Sequence, residues 1–170
     1  MTTLTTRTDS PETTRAIGHA LGAILPPGAF VALSGALGAG KTCFAQGLAR
    51  GLGVPEGEPI VSPTFVLARE YYGRLRLVHI DAYRLCDLDE LYMLGVDEAL
   101  NDGASVVAME WPDRFEALVP ANAIRVTLSH DGNDIRKIRL QIDAALADAL
   151  CRATVDRVHW RSPSETPTTD

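Results

Sequence analysis

"SGALGAGKT", residues 34–42, decides how the rest of the chain is read. Gly35 to Thr42 fits the pattern G-x-x-x-x-G-K-[ST], and the context on both sides is the one that pattern requires. Before it, "AFVALS" (29–34) is a short continuous apolar run, as a buried parallel strand should be. After it, "TCFAQGLARGLG" places Phe44, Leu48 and Leu52 on one face of an amphipathic helix. A glycine-rich turn can simply join a strand to a helix. Here it also carries Lys41, one of only two lysines among sixteen basic residues, at the position that wants a compact ammonium. The segment predicts a phosphate cradle on an α/β fold: backbone N–H groups turned inward on the helix N-terminus, Lys41 on the outer phosphates and the Thr42 hydroxyl on Mg²⁺.

A metal-bound nucleoside triphosphate also needs an acid at the end of a neighbouring strand. Asp81 closes "RLRLVHID" and Glu110 closes "ASVVAMEW" before its tryptophan. Either could be a solvated strand-end acid. Together they predict that at least one serves Mg²⁺, and their spacing leaves open which binds the ion and which places a water.

The remaining elements follow from local signals. Ser10-Pro11 reads as an N-cap and first helical residue, with Ile17, Leu21, Ile24 and Leu25 at helical spacing and Pro26-Pro27-Gly28 as the stop. "TFVLAREYY" and "RLRLVHID" flank Gly73 as a β-hairpin or as two neighbouring strands, and "LDELYMLG" is a short helix ending at Gly95. "AIRVTLSH" and "DIRKIRLQID" form a late hairpin across Asp131-Gly132-Asn133, before a short helix over 144–151. The expected organisation is one domain over 1–151 with a polar, disordered tail over 152–170.

Composition narrows the function. A net charge of −6 argues against a broad basic face for nucleic acid, and no apolar run approaches the roughly 20 residues of a membrane span. The polar start "MTTLTTRTDSPETT" lacks a signal-peptide core, which makes the cytoplasm the expected location. Cys43, Cys86 and Cys151 show no metal spacing, and the four histidines form no cluster. None of the three asparagines opens an Asn-Lys-x-Asp guanine reader, so ATP is the expected nucleotide. Residues 86–120 hold only Arg114, which disfavours the arginine-rich lid of a small-molecule kinase.

In order, "GALGAGKT", "SPTF" (62–65), "HIDAYRL" (79–85) and "MEW" (109–111) resemble the TsaE family, the small P-loop ATPases of bacterial tRNA threonylcarbamoyladenosine synthesis. The likeness spans about residues 10–145. It implies a central sheet with flanking helices and added hairpins. It also implies Mg²⁺-dependent ATP hydrolysis, feeble in isolation, by a protein that is monomeric alone and acts with TsaD and TsaB, meeting tRNA only through that complex.

By motif, Gly35, Ala36, Leu37, Gly38, Ala39, Gly40, Lys41, Thr42 and Cys43 would hold the nucleotide, with Trp111 beside it. Thr42, Asp81 and Glu110 would serve the metal, and Lys41, Thr64, Asp81 and Glu110 the hydrolysis. Ser62-Pro63-Thr64 would be a mobile loop near the terminal phosphate. Arg84 would reach phosphate or a partner, and the helix start at Ser10–Thr14 would help to enclose the base. Cys43 stands where relatives carry a second threonine, and Ala82 where a leucine is usual. The competing readings are a small-molecule kinase and a nucleotide-gated binding module in which hydrolysis is incidental.

Overall fold

In the computed structural model, residues 1–162 are described, and the last part of the expected tail lies outside them. Seven strands form one sheet in the order β1-β7-β6-β2-β5-β4-β3. Its centre is parallel: β6 (Ile124–His130), β2 (Phe30–Ser34), β5 (Val106–Glu110) and β4 (Arg76–Asp81) run the same way. The edges are antiparallel, with β3 (Ala68–Tyr72) on β4, β7 (Arg136–Ile142) on β6 and β1 (Thr2–Thr8) on β7. Every residue of β5 is buried, which explains why "VVAME" reads as an unbroken apolar run with an acid at its tip.

Helices cover both faces. On one side α1 (Pro11–Ile24), α2 (Lys41–Gly51) and α5 (Ala144–Ala153) share a core with the inward residues of β2, β6, β7 and β1. Ile17, Leu21, Phe44 and Leu48 are fully buried there, each stabilising the fold by roughly 1.5–3 kcal/mol on transfer from water. On the other side α3 (Leu88–Met93), α4 (Val96–Asn101) and the 3₁₀ segment Pro112–Leu118 cover Val78, Ile80, Val107 and Met109. The Ser10 hydroxyl caps α1 by accepting from the Thr13 N–H at 3.2 Å, with Pro11 at the first helical position. α1 and α2 pack backbone to backbone: a Cβ on Gly47 would stand 2.0 Å from the Arg15 carbonyl oxygen.

Four features depart from the sequence reading. β1 arises from "TTLTTRT", whose polar composition hides a strand that buries Leu4, Thr6 and Thr8. Residues 64–67, expected in a strand, form a turn in which the Pro63 carbonyl accepts from Val66 and Leu67 N–H, and Leu67 takes φ 65°. α4 follows Gly95 as a separate two-turn helix. The packed unit also runs past residue 151: α5 ends at Ala153, Trp160 donates to Thr154 at 2.8 Å, and Arg161 bridges to Thr5 in β1.

Candidate functional site

The carboxyl ends of β2, β4 and β5 meet at one edge of the sheet, where ligands of open parallel sheets bind. Register fixes what meets there. Leu33 at the end of β2 pairs with Glu110, and Glu110 pairs with Asp81. Alternation along a strand puts Asp81 and His79 on the face of Leu77, and Glu110 on the face of Ala108 and Val106, which is the face that α2 covers. Both acids therefore sit beneath the start of α2, each about 3% exposed.

The cradle joins β2 to α2. Gly35, Gly38 and Gly40 adopt φ 149°, 76° and 105°, a region closed to most side chains. At Gly35 a Cβ would also meet the Leu128 carbonyl oxygen at 2.3 Å, so the backbone there can turn only without one. Lys41 bends back over the loop and donates to the carbonyls of Gly35 (2.8 Å) and Ala36 (3.0 Å). Its ammonium also lies 3.8 Å from the centroid of the Trp111 ring. Burial lowers the Lys41 pKa, and the neighbouring Glu110 and Asp81 carboxylates oppose that shift. Trp111 reaches this place from a left-handed backbone (φ 61°, ψ 47°), an uncommon conformation for so bulky a residue. Tyr83 packs against it at 5.0 Å between ring centroids.

The two acids have different partners. Glu110 Oε1 accepts from the Thr42 hydroxyl at 3.0 Å and lies 2.9 Å from His79 Nε2. Asp81 Oδ2 accepts from Thr64 (2.7 Å) and Ser62 (3.0 Å), and its Oδ1 accepts the Tyr83 N–H at 3.0 Å. Asp81 is thus occupied in tying down the 62–64 loop, whereas Glu110 stands with the Thr42 hydroxyl.

A cleft of about 460 Å³ is lined by Leu37, Gly38, Gly40, Lys41, Thr42, Cys43, Thr64, Asp81, Glu110 and Trp111, joined by Ser62, Tyr83 and Arg84. Gly35 and Ala36 contribute through the carbonyls that hold Lys41, and the Ala39 methyl is turned into the core. Sequence reasoning assigned nothing to His79; the signal was a histidine two residues before a strand-end acid in an otherwise apolar strand. A larger recess of about 820 Å³ lies across α1 and α2 beside Arg15, Arg50 and Arg157. It has neither cradle nor paired acids, so chemistry selects the smaller cleft.

No group of three His, Cys, Asp or Glu side chains among the described residues could enclose a metal. A hydroxyl and one or two carboxylates beside a phosphate cradle are instead the donor set that suits Mg²⁺, which takes its other ligands from water and phosphate oxygens. The residues present fit that ion.

A glycine cradle between a parallel strand and a helix, with acids at the ends of adjacent strands, defines a P-loop NTPase-like α/β protein. The chain belongs to the TsaE family: the family model "Threonylcarbamoyl adenosine biosynthesis protein TsaE" matches residues 8–138. It is 42% identical over 126 residues to the tRNA threonylcarbamoyladenosine biosynthesis protein TsaE of Treponema pallidum, covering 73% of this chain and 91% of that one. Against the Bacillus subtilis TsaE it is 38% identical over 146 residues, covering 85% and 89%. The crystal structure of Bacillus subtilis YdiB superposes with a TM-score of 0.74 at 33% identity, covering 89% of this chain and 97% of that one. No helix of the described residues is long and apolar enough to cross a membrane.

Proposed function

We propose that the chain is the Mg²⁺-dependent ATPase subunit of tRNA threonylcarbamoyladenosine synthesis, hydrolysing ATP so that a TsaD–TsaB transferase can turn over repeatedly. One observation carries this reading: Lys41, Thr42, Asp81 and Glu110, from a cradle and two strand ends far apart in sequence, line a single cleft.

In this reading Lys41 leaves the Gly35 and Ala36 carbonyls for the outer phosphates of ATP. The inward N–H groups of the cradle and the N-terminus of α2 hold the phosphate chain. Thr42 and Glu110 would hold Mg²⁺, with Asp81 behind them; when bound, the ion neutralises charge developing on the phosphates. Thr64, fixed by Asp81, is the hydroxyl placed to order the attacking water or to sense the terminal phosphate. The only arginine lining the cleft among the described residues, Arg84, lies 4.9 Å from the Phe65 ring centroid. That geometry supports weak hydrolysis by the chain alone.

The rim supports coupling to a protein. Leu37 and Tyr83 line the cleft yet are 79% and 46% exposed, and Phe65, against Arg84, is 84% exposed. Apolar groups left in water around a nucleotide cleft suit a protein partner that senses its state.

The test is steady-state ATP hydrolysis by the purified chain, alone and with the matching TsaD–TsaB pair and tRNA. The reading expects a clear rise with the pair and several rounds of tRNA modification. An unchanged rate with no support of turnover would reject the accessory-ATPase role.

A further inference from the structure

His79 is wholly buried on β4, and its ring has one partner: Nε2 lies 2.9 Å from Glu110 Oε1, while Nδ1 has none. A buried polar atom without a partner costs stability, so the Nε2 contact with Glu110 is the one polar interaction that offsets burial of this ring. Hydrogen bonding settles the tautomer. A hydrogen on Nε2 can be donated to the carboxylate, whereas one on Nδ1 would be stranded and would set two lone pairs face to face. Glu110 Oε1 therefore receives two donors, the His79 N–H and the Thr42 O–H. Oε2 receives none among the described residues, and Glu110 lines the cleft.

We propose that His79 is a positioning residue for Glu110: its Nε2–H anchors Oε1 from inside the sheet, leaving Oε2 as the oxygen presented to the cleft. This rests on the proposed ATPase reading. The anchor is rigid because His79 and Glu110 sit on adjacent parallel strands, with His79 opposite Ala108 two register positions before the Asp81–Glu110 pair. A glutamate held by the Thr42 hydroxyl alone would be tied to the one group that must also face Mg²⁺. The histidine supplies a second hold, from the side away from the cradle, and so separates the orientation of the acid from the occupancy of the site.

The first test needs no nucleotide. Side-chain ¹⁵N NMR of the wild-type chain should show the Nε2–H tautomer with a slowly exchanging ring proton, and Glu110→Ala should abolish that protection. An Nδ1–H tautomer, or protection that survives Glu110→Ala, would overturn the proposal. The second test compares His79→Phe, which fills the space without a donor, with His79→Gln, which can return an N–H to Oε1. Loss of a group that orients a ligand commonly costs about 10- to 100-fold. His79→Phe should show that loss in kcat, with KM and Mg²⁺-free nucleotide affinity held within about twofold. His79→Gln should recover part of the loss. Equal loss in both variants, or a matching fall in Mg²⁺-free affinity, would make His79 merely structural. Should the wild-type chain show the tautomer but bind no nucleotide, the anchor stands and the ATPase reading fails.

Discussion

The Lys41 ammonium is held on three sides, by the Gly35 carbonyl at 2.8 Å, the Ala36 carbonyl at 3.0 Å and the Trp111 ring with its centroid at 3.8 Å. In the ATPase reading proposed above, Lys41 would give up the two carbonyl bonds in exchange for phosphate oxygens. A desolvated cation–π contact is worth up to about 2 kcal/mol. The loop therefore holds Lys41 in a defined arrangement, and under the proposed function that arrangement would compete with nucleotide.

Trp111 should report that exchange. Titration with ATP and Mg²⁺ is expected to change tryptophan emission, and Trp111→Phe should remove the change while Trp160 remains as background. A full response in Trp111→Phe would show that the ring does not sense the cradle.

Lys41→Ala should weaken ATP binding by about 3 kcal/mol or more, the scale of lost charge-assisted hydrogen bonds, roughly a hundredfold in Kd. The fold should survive, since the change also removes an ammonium whose pKa is lowered by burial; the thermal midpoint is expected within about 4 °C of wild type. Isothermal titration and calorimetry of the same preparation check both statements. Unchanged affinity would sink the site assignment.

Cys43 lines the cleft, and burial pushes its thiol pKa up, so little reactive thiolate forms at neutral pH. Cys86 is exposed. Alkylation followed by mass spectrometry should therefore modify Cys86 first. ATP should slow Cys43 further and leave Cys86 unaffected; equal protection of both would indicate a global change and not occupancy of the cleft.

Glu70 on β3 accepts from Arg76 on both oxygens, at 2.7 and 3.1 Å, and from the Tyr72 hydroxyl at 2.6 Å. The Arg76 hydrogen bonds, then that of Tyr72, hold its pKa below the usual glutamate value of 4.5. A folded pKa below the unfolded one means that the stabilisation is complete above about pH 4.5 and fades as pH falls through the folded value. Solvent screening at this exposed pair limits it to about 1 kcal/mol or less. Glu70→Gln should flatten the acid limb of stability by that amount, measured by urea unfolding across pH, and leave neutral-pH ATP binding alone.

The cradle, both acids and the late hairpin were legible because each is written locally, as glycines around one lysine, an acid capping an apolar run, or Asp131-Gly132 between alternating strands. β1 was not, because its ladder partner β7 comes much later in the chain, and its interior hydroxyls meet the His159 carbonyl (Thr6) and Thr14 (Thr8). The Pro63–Leu67 turn escaped for a related reason. Its residues have strand character, and what takes them out of the ladder lies partly elsewhere, in Asp81, which draws in the Ser62 and Thr64 hydroxyls while the Pro63 carbonyl closes the turn. The two roles of the acids could not be separated by spacing, since the difference lies in which hydroxyls reach them.

Asp81 and Glu110 face each other because β4 and β5 pair in one register, and Glu110 meets the cradle because β5 pairs with β2 in another. A slip of one residue in either ladder would turn an acid to the opposite face of the sheet. Parallel pairing across crossovers brings together residues far apart in sequence, and such contacts form late and slowly. Under the proposed function, affinity for nucleotide should then appear only once β2, β5 and β4 are paired in register, so that during refolding ligand binding would time the closing of the central sheet, and a chain trapped in a shifted register, however compact, would be blind to ATP.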